Sequence, residues 1–405
     1  MNRLFLDIHA LQTVPPSNLN RDDTGAPKTA VYGGVPRARV SSQAWKRATR
    51  SYFSDEHLLE PSELGVRTKK VAEVLAARIT ALDPTIDPAE AVRLAATVIQ
   101  KATGSTIEVA KRTTAAKTSD SDLESTGHTE AAPTSKYLMF LSNHQLDGLA
   151  AFALEGAADI ATYLKDKANK ARAKQIADTR HSVDIALFGR MVADSADFNV
   201  DAAAQVAHAI SVHRVNTESD YYTAVDDRNT SAESGAGMIG TVDFNSATLY
   251  RYAAVGIHQL AESLGDGLRD DAPLTTPVRR AVEAFVHAFV ASLPTGKINT
   301  FGHHTLPDVV VIKLRTSRPI SFVAAFEEPI TTESGGFLRE ASTRLADFVP
   351  EIERAYGDES STRTWVLRVG TATTKLACMG EELPSLSDLV KEVGQAVAEH
   401  MITTS

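Results

Sequence analysis

The sequence predicts an α+β protein, a sheet-forming domain interrupted by an α-helical one. Three observations lead there. Strand-like patterning opens the chain at Leu4–Leu11 and returns from HSVDIALFGR (His181–Arg190) onward, most clearly in TVDFNSATLYRYAAVGI and LPDVVVIKLR. Between these regions, residues 61–175 carry apolar side chains mostly at helical spacing. An amphipathic helix at Thr276–Ser292 separates the two clearest late strands, and the chain has no internal repeat. A length of 405 residues exceeds one ordinary core, so it suits one large domain with insertions or two to three modules.

Taken in order, Leu4–Leu11 is a strand by period two, and the Pro-, Asn-, Asp- and Gly-rich QTVPPSNLNRDDTGAPKTAVYGG after it is a long functional loop. Lys70–Ile79, Ala89–Lys101 and Leu146–Ala177 are helical, the last with breaks near Gly148 and Gly156. Within that region, Thr113–Ser135 is rich in Ser and Thr and poor in large apolar residues, which predicts a mobile loop.

Composition narrows the function. A hydrophobic content of 43% supplies ample core. The single cysteine, Cys378, excludes a disulfide within the chain and agrees with a reducing compartment. MNRLFLDIHALQ lacks the uninterrupted apolar core of a signal peptide, and no apolar run reaches the ~18 residues of a membrane span. A soluble, cytoplasmic protein is expected. A formal net charge of -9 disfavours indiscriminate nucleic-acid binding, so any polyanion site must be local.

One stretch has that local character. Between Thr24 and Ser54 stand Lys28, Arg37, Arg39, Lys46, Arg47 and Arg50, with no acidic residue among them. A helix capped by Ser41 or Ser42 puts Gln43, Lys46, Arg47 and Arg50 on one face and Trp45, Ala48, Thr49 and Tyr52 on the other. The result is a core-anchored helix with a cationic exterior, whose N-terminal N–H groups lie beside Arg37 and Arg39 in a geometry suited to phosphate. Enzyme signatures are missing. His303-His304 and the pair His208 and His213 form no HExxH or Cys/His cluster, and neither G-x-S-x-G nor a Walker A loop occurs. GAGMIG, Gly235–Gly240, matches G-x-G-x-x-G literally, but NTSAES before it and strand-like TVDFNS after it are the wrong setting for a dinucleotide fold. No cofactor or metal is expected, and an oxidoreductase reading rests on that hexapeptide alone.

DIHALQTVPPSNLNRDD, YGGVPRARVSSQAWKRATR, VDIALFGRM, YYTAVDD, GTVDFNSATLYRYA and GKINTF occur in the order and spacing of a known family. The chain resembles the CasC backbone subunits of the type I-E CRISPR surveillance complex, Cascade. The resemblance covers both ends of the chain, while residues 61–175 match only in position and character. It implies a hand-shaped α+β protein: a modified RRM or ferredoxin-like palm (residues 1–60 and 176–405), a helical fingers insertion (61–175) and a β-hairpin thumb at about 215–244. It further implies a non-catalytic subunit stacked head to tail along the CRISPR RNA, leaving the guide's bases free to pair with target DNA. The implied partners are the large, small, end-capping and guide-processing subunits and a helicase-nuclease recruited by the whole complex.

Residue by residue, the resemblance assigns guide-backbone contacts to Arg21, Lys28, Ser41, Gln43, Lys46, Arg47 and Arg50. Met191 is similar to the apolar residue placed against a displaced nucleotide at the end of a palm strand, and Ile239 to the apolar thumb-tip residue that works with it. In YLKDKANKARAKQ, the cations Lys165, Lys167, Lys170, Arg172 and Lys174 resemble a finger helix facing the incoming DNA duplex. The competing reading is a metal-dependent ribonuclease of type III kind, with Asp22 or Asp23 as the cleaving aspartate in the loop after the first strand; in type I-E relatives such acids shape the loop or contact a neighbour.

Overall fold

The structure is a computed structural model and describes residues 3–108, 133–192, 198–224, 238–265, 273, 275–332, 336–357 and 362–403. The chain separates into two units, one formed by 1–59, 203–261 and 275–405 and the other by 60–202 and 262–274. In order, the chain begins with β1 (Phe5–Ser17), β2 (Thr29–Tyr32), β3 (Val35–Val40) and α1 (Ser42–Asp55). It continues through β4 (Gly65–Thr68), α2 (Val71–Leu82), α3 (Pro88–Thr103), β5 (Ile107–Glu108), β6 (Thr134–Ser135), β7 (Met139–Ser142), α4 (Asn143–Glu155), α5 (Ile160–Tyr163), α6 (Lys167–Asp178) and α7 (Val183–Phe188). Next come β8 (Ala204–Val206), β9 (Ala209–Ser211), β10 (Glu218–Ala224), β11 (Met238–Gly256), α8 (Ile257–Leu264), α9 (Thr275–Ala291), α10 (Ile298–Phe301) and β12 (Val309–Arg315). The chain closes with α11 (Phe337–Tyr356), β13 (Thr362–Arg368), β14 (Glu381–Glu382) and α12 (Leu386–Thr403).

The first unit is built on one sheet of order β14-β13-β12-β1-β11-β9-β3-β2, with β8 and β10 also pairing to β11. β1 lies at its centre, antiparallel to β11 and β12, with Ala10 opposite both Arg251 and Val310. Burial on both sides explains why β12, VVVIKLR, opens as the apolar run Val309–Ile312; Lys313, Leu314 and Arg315 follow, and all seven residues are buried. Those charges are paired inside: Arg315 with Asp7 and Glu353, and Lys313 with Glu353. The register of β1 against β11 slips between Val14 and Ser17, where Pro15 and Pro16 have no N–H to give the ladder. Leu11, Tyr250, Val309, Val311, Phe322, Phe326 and Leu345 belong to one shared core, and α9 packs against α1 and α12.

β10 and β11 form a hairpin, Glu218 opposite Phe244 through Ala224 opposite Met238, at the position expected for a thumb. Its tip, 225–237, lies outside the described residues and takes Gly235 and Gly237 with it.

The second unit is helical. α2, α3, α4 and α6 bury Leu75, Ile79, Leu94, Val98, Leu149, Phe152 and Ala173 in one cluster. Two expectations for it need correction. α4 runs through Gly148 without a break, because a Cβ there would sit 2.8 Å from Cγ2 of Ile176: the glycine permits close helix packing. VDIALFGRM is not a strand; Val183–Phe188 is the helix α7, with Val183, Ile185, Ala186 and Leu187 all buried. An apolar run this short fits either period, and burial on every side hides the difference. Most of Thr113–Ser135 lies outside the described residues. Among the described residues, no helix is long and apolar enough to cross a membrane.

Candidate nucleic-acid interface

The site is built around α1. Ser41 is its N-cap: extended at φ -67°, ψ 151°, it accepts from the Ala44 N–H. The buried seam is Trp45, Thr49 and Phe53, one turn apart. Ala48 and Tyr52, expected in the core, are only half-buried and turn toward a groove. Gln43 and Arg47 are exposed on the outward face, while Lys46 and Arg50 are half-buried on its flank. Burial lowers the Lys46 ammonium below its ordinary range.

The loop between β1 and β2 forms a second wall. Asn20 holds it to α1, its carboxamide oxygen accepting from Ser41 N and its backbone carbonyl from Lys28 N, both at 2.9 Å. Asn18 donates to the carbonyls of Gly25 and Asp243. Asp22 folds the tip: its carboxylate accepts from the Thr24 hydroxyl and from the N–H groups of Thr24 and Ala26, bonds that hold it below the usual carboxylate range. The loop thus presents Arg21 and Lys28 to the groove.

The third wall follows α9. Gly296 is required there, since a Cβ would lie 2.3 Å from the Leu19 carbonyl oxygen and 2.5 Å from that of Asn18. Lys297, left-handed at φ 53°, and then His304, Thr305 and the 67%-exposed Leu306 complete the lining. The three walls enclose an open groove of about 1320 Å³. Arg21, Lys28, Arg47 and Lys297 supply its positive charge, and Asp55 and Glu56 lie along it at the C-terminal end of α1. With four cations, backbone N–H groups near a helix start and apolar surface from Tyr52, Ile298 and Leu306, this concavity has the chemistry of a phosphodiester backbone site.

The profile of the CT1975-like protein family matches residues 6–392. The chain belongs to that family. Two solved structures extend the likeness over nearly the whole chain. A subunit of a "CRISPR RNA-guided surveillance complex, pre-nicking" is 34% identical, covers 97% of this chain and 100% of its own, and superposes with a TM-score of 0.78. A subunit of a "CRISPR RNA-guided surveillance complex" is 31% identical, covering 97% and 99%, with a TM-score of 0.68. Among curated proteins, no match is found. The resemblance read from six motifs is borne out, as is the α+β class.

In this CT1975-like chain, the groove gathers Arg21, Lys28, Ser41, Gln43 and Arg47 of the expected contacts. Lys46 and Arg50 stand outside its lining. Arg37 is a correction. It is fully buried, and its guanidinium donates to the carbonyls of Tyr32, Ser211, Phe326 and Glu327, so it joins strands and has no face for a ligand. Its charge looked available because the sequence gives no sign of four carbonyls converging on it. Arg39 is half-buried; it donates to the Thr29 carbonyl and lies 3.2 Å from Nδ1 of the exposed His208. Partial burial, with Arg39 and Lys28 nearby, lowers that imidazole's pKa.

Neither Lys297 nor His304 was expected at the site from the sequence, where His304 was weighed only as part of a metal motif. GKINTF was legible as a motif, but the left-handed turn that delivers Lys297 to the groove was not. Met191 is 83% exposed between the buried Arg190 and Val192, a placement unlike a core methionine. Ile239 pairs with Thr223 through the backbone, and its side chain lies outside the described residues. In the helical unit, Lys165, Lys167, Lys170 and Lys174 are exposed, whereas Arg172 is held by both oxygens of Glu155 at 2.6 and 2.7 Å, with its guanidinium carbon 5.6 Å from the centre of the Phe152 ring. Among the described residues, no group of three or more His, Cys, Asp or Glu side chains is placed to hold a metal ion.

Proposed function

We propose that this chain is the RNA-binding backbone subunit of a type I-E Cascade, holding the sugar-phosphate backbone of a CRISPR RNA in the groove between α1, the β1–β2 loop and the segment after α9. One observation carries the reading: five residues assigned to guide contacts from sequence line a single groove, joined by Lys297 and His304. Phosphate binding by Arg and Lys needs no catalytic geometry, and it leaves base edges free for a complementary strand. Several copies stack head to tail along the spacer, with Met191 and the β10–β11 hairpin carrying Ile239 separating nucleotides at subunit boundaries. The exposed lysines of α6 attract duplex DNA as the R-loop forms. The other Cascade subunits and a helicase-nuclease are its partners in a cytoplasmic antiviral ribonucleoprotein.

The subunit is non-catalytic on this reading, and Asp22 supports that, because its carboxylate is occupied in shaping its own turn. The test is the RNA that co-purifies with the assembled complex. A single uniform length is expected, whereas heterogeneous RNA would leave only general binding. Incubation with complementary RNA and Mg²⁺ should leave that RNA intact; regular fragments would favour the ribonuclease.

A further inference from the structure

Arg251, on β11, is 1% exposed, and among the described residues no carboxylate pairs with it. Burial pushes its guanidinium down to about 9. An unpaired cation in a core is costly, which raises the question of what this one holds in place.

Its contacts reach two of the three walls of the groove, α1 and the segment after α9, the latter at both of its ends. The guanidinium lies 3.8 Å from the centre of the Trp45 ring, the residue that seats α1. It lies 4.7 Å from the Phe289 ring and donates to the Phe289 carbonyl, at the end of α9 just before the wall formed by Ala291–Ile298. Nη1 donates at 2.7 Å to Gln12 Oε1, and Gln12 Nε2 donates at 2.8 Å to the carbonyl of Thr305, itself a lining residue. Gln12, Trp45 and Phe289 are each at most 1% exposed, so the links they make to Arg251 do not compete with solvent.

We propose that Arg251 is a positioning residue for the groove: by gripping Trp45, Phe289 and Gln12 at once, it fixes the α1 wall against the wall that follows α9, two of the three that a nucleic-acid backbone meets. Lysine keeps the charge but cannot reproduce the planar fork or lie flat on two rings. The inference rests on the RNA-binding reading for its functional readout and on the packing alone for its structural one, so the two fail separately.

The test uses the full chain and a fluorescent single-stranded RNA of mixed sequence. Arg251→Lys should weaken binding by the folded protein about ten-fold. It should also flatten the salt dependence by ~0.7 in log–log slope for each phosphate contact that the misplaced walls lose. Hydrogen exchange should quicken at Ala44–Ser51, Ala291–Ile298 and His303–Leu306 and stay unchanged in β12. The companion variant Gln12→Met removes both bonds of the Arg251–Gln12–Thr305 path and leaves the Trp45 and Phe289 contacts, so its faster exchange should be confined to His303–Leu306. Unchanged affinity and slope in Arg251→Lys, exchange that rises uniformly, or failure of both variants to fold would each overturn the proposal. If the wild-type chain binds no RNA, the functional reading falls, and the exchange pattern still decides the positioning claim.

Discussion

α1 and α6 look alike in sequence, each placing several cations on one side of a helix, yet the structure treats them differently. α1 is anchored by Trp45, Thr49 and Phe53. α6 is anchored by Ala173 and Ala177. Large buried side chains fix the rotation of α1, and two further walls face it, so Arg47 converges with Arg21, Lys28 and Lys297. The cations of α6 stand exposed, and Arg172 is already paired with Glu155. A run of charge on a helix therefore identifies a solvated face, and an opposing wall is what turns it into a site.

The comparison breaks most readily at the anchors. Trp45→Ala removes the largest buried side chain of α1 and uncovers one face of Arg251, so a loss of ~3–5 kcal/mol is expected by denaturant titration. Ala173→Gly in α6 should cost less, about 2 kcal/mol, from the helix-propensity difference and the loss of one buried methyl. Similar losses for the two would mean that α1 is no better seated than α6.

Arg37 sharpens it, because this arginine belongs to the same basic island but faces inward. Arg37→Met leaves the Tyr32, Ser211, Phe326 and Glu327 carbonyls without their donor and should cost ~3 kcal/mol. The salt slope of RNA binding by the folded variant should not move. A shallower slope would put Arg37 back among the phosphate contacts.

The converse pair is Arg47→Ala with Lys297→Ala. Stability should stay within ~0.5 kcal/mol per site, as at other surface positions, while the log–log salt slope for single-stranded RNA falls by about 1.4, at ~0.7 per contact. Lys170→Ala with Lys174→Ala should leave that slope unchanged and weaken the attraction of duplex DNA. Equal effects of the two pairs on RNA would dissolve the distinction between groove and open face.

What was legible in the sequence follows the same line. The α1 helix, its serine cap, and the strands of β1, β11 and β12 were readable because period and capping are local properties. Five groove residues were readable through the family motifs. Arg37 and Arg251 were not: each is a charged residue in a strand, and what distinguishes them from Arg39 is a set of carbonyls or rings contributed by residues up to 290 positions away in Arg37's case. Lys297 was hidden for a related reason, since its place depends on Gly296 meeting the backbone of Leu19. The helix α7 was misread because a six-residue helix with five residues buried carries no amphipathic signal.

The smallest expected effect concerns Arg172, and it tests whether the α6 face is as open as its lysines suggest. Arg172 and Glu155 are both substantially exposed, with side-chain exposures of 51% and 41%, so solvent screens their bidentate pair. Exposed pairs of this kind contribute little to stability, and the Phe152 ring against the guanidinium adds a similarly small amount. Arg172→Ala should therefore lower stability only marginally, and high salt should narrow the gap from wild type by weakening the ion pair. Duplex binding has the opposite expectation for a residue already neutralised. Removing Arg172 frees Glu155 as a net negative charge on the helical unit, so DNA attraction should fall slightly through Glu155, not through a lost contact. The double variant Arg172→Ala, Glu155→Ala separates the two: recovery of wild-type DNA affinity makes Arg172 a structural partner of Glu155, while a persistent loss with a shallower salt slope makes it a DNA contact in its own right.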